Sequence, residues 1–121
     1  LLVEDNEINC EIVEYILRGA GVEVVTASDG RAAVDAFTAA EPGAFDCVLM
    51  DLMMPVMSGY EAARVIRSLE RRDAAAVPII ALSANAFDED IALAKDAGMN
   101  EHLAKPVDMH KMFQVMSRLR G

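Results

Sequence analysis

Three apolar runs in this chain each end at charged residues: LLVED at 1–5, VLMD at 48–51 and HLAKP at 102–106. A run of β-type residues that stops at a carboxylate or an ammonium has the pattern of a buried strand surfacing at its C-terminal end. In an open parallel sheet such ends face one crevice, where ligands bind. Brought together, Glu4, Asp5 and Asp51 would crowd three negative charges beside Lys105. Adjacent carboxylates cannot all stay ionised without a counter-charge. An all-oxygen donor set suits a hard divalent ion, above all Mg²⁺, which keeps several waters and accepts phosphate oxygens; Mn²⁺ is a workable substitute. A fourth run, Ile79–Ser83, ends in a hydroxyl that could donate to an anion, and Lys105-Pro106 supplies a compact ammonium. A carboxylate nucleophile, a metal, a hydroxyl donor and a cation are what phosphoryl transfer requires. Taken singly, each has an ordinary explanation: solvated acids at loop starts, and a helix cap at Ser83. The combination is what points to chemistry.

The elements that must position these groups alternate along the chain. Strand 1 (1–5) precedes a helix on which Ile8, Ile12, Val13, Ile16 and Leu17 recur at helical spacing, ended by Gly19 and Gly21. VEVVTA at 22–27 reads as strand 2. An alanine-rich helix from Gly30 to about residue 40 turns Val34 and Phe37 inward, and strand 3 spans 45–51, continuously apolar after Asp46. Ser58 is a candidate N-cap for a helix with Tyr60, Ala63, Val65, Ile66 and Leu69 facing a core. Pro78 opens strand 4 (79–83). A helix over 87–97 carrying Ile91 and Leu93 stops at Gly98, and 101–104 forms strand 5. The last helix, 107–119, turns Met109, Met112, Phe113, Met116 and Leu119 inward as core filler. Five strands alternating with five helices predict an α/β fold, a parallel sheet covered on both faces.

Composition limits what such a fold would do. With 121 residues and no Pro/Gly/Ser-rich linker, one domain over 1–121 is expected. Leu1 falls inside the first strand pattern, which suggests a piece of a longer polypeptide. The net charge of −9 argues against direct nucleic-acid binding. The apolar runs are too short to span a bilayer and no leader precedes them, so no membrane contact is expected and the cytoplasm is the expected location. Cys10 and Cys47 read as two buried free thiols, without metal-ligand spacing.

Four segments together resemble the receiver domain of two-component response regulators over the whole chain: LLVEDN, MDLMMPVMSGYEA around Asp51, ALSANA around Ser83, and GMNEHLAKPV around Lys105. The resemblance implies the flavodoxin-like receiver fold with strand order 2-1-3-4-5. It implies that Asp51 accepts a phosphoryl group from a phosphohistidine. Mg²⁺ would be held by Asp5, Asp51 and the backbone carbonyl of Met53, with Glu4 acting largely through a metal-bound water. Ser83 would swing toward the phosphoryl group while Lys105 pairs with it, and Pro106 would fix the lysine loop. Such a domain catalyses its own phosphorylation and dephosphorylation. Its partner is a histidine kinase or a histidine phosphotransfer domain, with a helix packing against the first helix. Its output surface is the face of the fourth helix, fifth strand and fifth helix, which leaves room for a phosphorylation-dependent partner or dimer.

The phrasing of the motifs is most like the receivers of hybrid sensor histidine kinases, which would make this the cytoplasmic domain of a membrane-bound kinase. One departure concerns the switch, where His102 stands in place of the family's usual Tyr or Phe. An imidazole can still change rotamer, and its ordinary pKa makes such a movement sensitive to pH. Met53 and Asn85, expected to tune the phosphoryl lifetime, offer no charged group to activate water, which predicts slow self-dephosphorylation. Three alternatives compete. A pseudo-receiver acting only as a protein-binding module is expected to have lost the acceptor Asp or the Lys, and both are present. A haloacid-dehalogenase-type phosphatase wants a second Asp where Met53 stands. A flavodoxin-like cofactor carrier needs a phosphate-cradling loop where Glu4-Asp5-Asn6-Glu7 would repel phosphate.

Overall fold

In the computed structural model, which describes residues 1–41, 43–52, 54, 56–69, 72–83, 88–104 and 108–120, strands and helices alternate as the pattern predicts except for one extra helix before the fourth strand. They are β1 Leu2–Val3, α1 Glu7–Gly19, β2 Thr26–Ala27, α2 Gly30–Ala39, β3 Val48–Asp51, α3 Gly59–Ser68, α4 Arg72–Ala76, β4 Ile79–Ser83, α5 Asp88–Asp96, β5 Glu101–Ala104 and α6 Met109–Arg120. All pairings are parallel, in the order β2-β1-β3-β4-β5. The sheet separates two apolar layers. One gathers Val3, Phe37, Val48, Met50, Ala62, Ile66 and Ile79 under α2, α3 and α5. The other gathers Leu2, Leu17, Leu49, Ile80, Leu82, Leu103 and Met112 under α1 and α6. β3 and β4 are buried along their full length, which is why they read as unbroken apolar runs.

Several expectations need correction. Strands 1, 2 and 3 are shorter than the apolar runs suggest: the ladders of β1 with β2 and with β3 span two residue pairs each, and that of β3 with β4 spans four. The helix α4 intervenes between α3 and β4, so the described residues contain six helices and the expected fourth and fifth are α5 and α6. On α1 the buried or partly buried apolar residues are Cys10, Val13, Ile16 and Leu17. Ile8, Ile12 and Tyr15 are instead 69%, 53% and 81% exposed. The helix carries two apolar stripes, and only one can face a sheet. On α5 it is Ala94 that is buried, while Leu93 is exposed. Cys47 is buried, but Cys10 only partly so; both thiols are free.

Helix starts follow local chemistry. The side chains of Asn6, Asp29 and Ser58 accept hydrogen bonds from the backbone N–H of Asn9, Ala32 and Glu61, capping α1, α2 and α3. No helix among the described residues is long and apolar enough to cross a membrane.

Candidate functional site

The three carboxylates meet. β1 and β3 are neighbours in the sheet, and both deliver their acids at the C-terminal edge. Glu4 follows β1 directly; its backbone N–H donates to the Ala27 carbonyl at 3.1 Å, extending the strand's direction by one residue. Its Oε1 accepts from the Asn6 N–H at 3.2 Å. Because Asn6 already caps α1, the Glu4-Asp5 connection has no slack, and both acids stay over the sheet edge. Asp51 is the last residue of β3, held in register opposite Leu82 of β4. Glu4 is 5% exposed and Asp51 3%, whereas Asp5 is open to solvent. One oxygen of each lies within 4.8 Å of the others. Two buried carboxylates and a third beside them make a cluster of oxygen-only donors. That donor set fits a hard divalent cation.

The negative field extends along α1. The Cys10 thiol is pushed up from its ordinary pKa, first by burial and then by Glu14, Glu4, Glu11 and Glu7.

Ser83 ends β4, buried, in register with Ala104 of β5. His102 sits opposite Ala81 in the same ladder. Strand alternation therefore puts Ser83 and His102 on one face of the sheet, the face of α5, with only methyl side chains at the two partner positions. The imidazole is partly buried, and its Nε2 has neither accessible surface nor a hydrogen-bond partner among the described residues. His110 on α6 is exposed, beside Gln114. Met53, Asn85, Lys105 and Pro106 lie outside the described residues.

Close backbone approaches around Asp51 escape a sequence reading. A β-carbon at Gly59 would come within 2.3 Å of the Asp51 carbonyl oxygen, and one at Gly30 within 2.4 Å of the Met57 carbonyl oxygen. Both glycines let a helix start press against the chain that leaves β3. Between them, Val56 adopts φ 67°, a left-handed conformation costly for a β-branched residue. Only the glycines of S-G and D-G pairs hint at this in the sequence. A cavity of about 470 Å³ lined by Leu17, Val22, Phe45, Cys47 and Met116 lies at the other end of the strands, with no acid cluster.

Known proteins resemble this chain in sequence and fold. The profile of the response regulator receiver domain family matches residues 1–117. A peroxide stress-activated histidine kinase of Schizosaccharomyces pombe is 39% identical over 118 residues, which cover 97% of this chain but 7% of that protein. Among solved structures, the receiver domain of a sensor histidine kinase from Pseudomonas aeruginosa, with a magnesium ion coordinated in its active site cleft, superposes with a TM-score of 0.88. It is 39% identical, over 99% of this chain and 94% of that one. A receiver domain from Saccharomyces cerevisiae, crystallised with a histidine phosphotransfer signalling protein, gives a TM-score of 0.88 and 34% identity, over 98% of this chain and 85% of that one.

Proposed function

The chain belongs to the response regulator receiver domain family, the phosphoryl-accepting modules of two-component phosphorelays, and we propose that Asp51 is its acceptor. The observation that carries this reading is the convergence of Glu4, Asp5 and Asp51 at adjacent strand ends. Asp51 combines burial with an aspartyl oxygen at the crevice, the requirements of a nucleophile whose charge must be compensated. Its oxygen forms the new bond to phosphorus as the phosphohistidine's N–P bond breaks, and the released imidazole nitrogen takes a proton. The product is an acyl phosphate.

Glu4, Asp5 and Asp51 would hold Mg²⁺, or Mn²⁺, together with the backbone carbonyl of Met53. When bound, the ion neutralises charge on the transferring group. Lys105 is assigned to pair with the phosphoryl oxygens and Ser83 to donate its hydroxyl. Pro106 is assigned, from the family resemblance, to fixing the position of Lys105. Met53 and Asn85 provide no general base, so hydrolysis is slow. Ser83 and His102, on one face of the sheet, carry the change to the α5–β5–α6 surface.

The donor is a histidine kinase or histidine phosphotransfer domain. The exposed stripe Ile8, Ile12 and Tyr15, beginning next to Asp5, supports a partner helix packing on α1. We read residues 1–121 as one receiver domain of a hybrid histidine kinase, on the cytoplasmic side of the membrane. The likeness of this chain to receivers of histidine kinases supports that architecture.

Intact mass after incubation with acetyl phosphate and Mg²⁺ tests the assignment. One phosphoryl group should be gained only with Mg²⁺ and not by Asp51→Asn. An equal gain in Asp51→Asn would put the phosphoryl group on another residue, and no gain in the unaltered chain would leave the pseudo-receiver reading.

A further inference from the structure

α3 touches the acceptor with its first residue and the output face with its last turn. At the start, the Gly59 N–H donates to the Leu52 carbonyl at 3.1 Å, and the glycine packs directly on the Asp51 carbonyl. At the end, Arg67 reaches away from the helix and makes three hydrogen bonds. Its Nε donates to the Gly98 carbonyl at 2.9 Å, its Nη1 to the Ala74 carbonyl at 3.0 Å, and its Nη2 to Asn100 Oδ1 at 2.8 Å. Asn100 Oδ1 also accepts from the Ile79 N–H at 2.9 Å, and the Asn100 N–H donates to the Ile79 carbonyl at 2.8 Å. One guanidinium thus ties α3 to α4, to the start of β4 and to the turn that carries α5 into β5.

The fit is specific. Gly98 has φ +96°, and a β-carbon there would lie 2.8 Å from Arg67 Cγ, so the turn and the arginine occupy mutually exclusive space unless residue 98 is glycine. The three acceptors are all neutral. Burial lowers the Arg67 pKa, as expected for a cation partly withdrawn from water. A half-buried cation donating to three neutral oxygens is suited to fixing geometry rather than to ion pairing, and the rigid planar fork of arginine does that where lysine cannot. Between these two ends lies a ten-residue helix, about 15 Å long at the usual rise per residue. Ala62, Ala63 and Ile66 are wholly buried along it, a close-packed face that resists local bending.

We propose that α3 is a second mechanical link from the phosphoacceptor to the output face. A displacement of the Asp51 backbone passes through Gly59 and the helix to Arg67, and from its fork to the Gly98–Asn100 turn. The link runs parallel to Ser83 and His102, and Arg67 is its positioning residue. This rests on the reading that Asp51 accepts the phosphoryl group and that α5, β5 and α6 form the output surface.

The test follows backbone amide exchange at Ser83 and at residues 98–102, before and after phosphorylation by acetyl phosphate and Mg²⁺. It compares the unaltered chain, Arg67→Gln, and the gentler Arg67→Lys, which keeps stem and charge but loses the fork. Both variants should gain the phosphoryl mass and keep the response at Ser83, while the response at 98–102 falls at least twofold. A full response at 98–102 in both variants would overturn the link. Loss of phosphoryl uptake in both would overturn it too, by showing that Arg67 merely holds the fold. No mass gain in the unaltered chain would instead refute the phosphoacceptor reading, and this inference with it.

Discussion

His102 stands opposite Ala81 in the β4–β5 ladder, one pair of same-face positions away from Ser83 opposite Ala104. Its Nε2 is closed off from solvent and unpaired among the described residues. An unsatisfied buried polar atom costs about 1–3 kcal/mol. His102→Phe removes that atom and keeps a planar ring, so the variant is expected to be more stable by about 1 kcal/mol. Urea denaturation of both proteins measures it. A loss of stability on substitution would mean that Nε2 is satisfied in solution.

Cys47 gives a pH-dependent prediction. Burial pushes its thiol up to about 11. Because the folded-state pKa lies above the unfolded one, folding favours the protonated thiol. The associated stability is complete below the ordinary thiol pKa and is lost as pH rises through about 11. Between those limits the unfolded chain binds fewer protons than the native one, so the slope is negative. Cys47→Ala should show a smaller loss of stability between pH 8.5 and pH 11, both about the limits of thiol titration here. An unchanged slope would show that other groups carry the alkaline loss.

How much of this was readable from the residues differs by element. Glu4, Asp51 and Ser83 were legible because a strand buried on both faces is an apolar run, and the first polar residue after it must lie at the sheet edge. α4 was not legible: RDAAA is five residues long, too short for any helical period to register. The exposure of Ile8 and Ile12 was hidden because an apolar residue every fourth position fits either side of a helix. Arg67 was invisible for another reason. Its acceptors Gly98 and Asn100 lie 31 and 33 residues away, and nothing near Arg67 encodes them. Lys105 was legible as the charged end of the 102–106 run, whereas the family resemblance is what assigned roles to Met53, Asn85 and Pro106.

Gly59 and Gly19 make a controlled pair. A β-carbon at Gly59 collides with backbone, the Asp51 carbonyl oxygen at 2.3 Å, and backbone cannot swing aside as a side chain can. Gly59→Ala should destabilise by about 1–3 kcal/mol, as overpacking does. It should also slow phosphoryl uptake, because relief of the clash displaces Asp51. At Gly19, the last residue of α1, a β-carbon meets nothing within 4 Å. Gly19→Ala should be neutral or stabilising, by up to about 1 kcal/mol of helix propensity. Thermal unfolding and the rate of mass gain from acetyl phosphate measure both effects. Equal behaviour of the two variants would show that the close approach at Gly59 is not retained in solution.

The acid cluster predicts a metal-linked stability that one carboxylate controls. Glu4 and Asp51 are buried while Asp5 is exposed, so Asp5→Asn removes a charge without leaving a buried hole. Without metal, the three negative groups repel, and the variant should be at least as stable as the unaltered chain. With metal the order reverses. A ligand that binds only the folded state at about 100 times its dissociation constant adds about 2.7 kcal/mol. The unaltered chain should therefore gain several degrees in Tm on adding millimolar Mg²⁺ and lose them again with a chelator. Asp5→Asn should gain little at the same concentration, and its phosphorylation by acetyl phosphate should slow in parallel. If Mg²⁺ stabilised Asp5→Asn as strongly as the unaltered chain, Glu4, Asp5 and Asp51 would not be acting as one site.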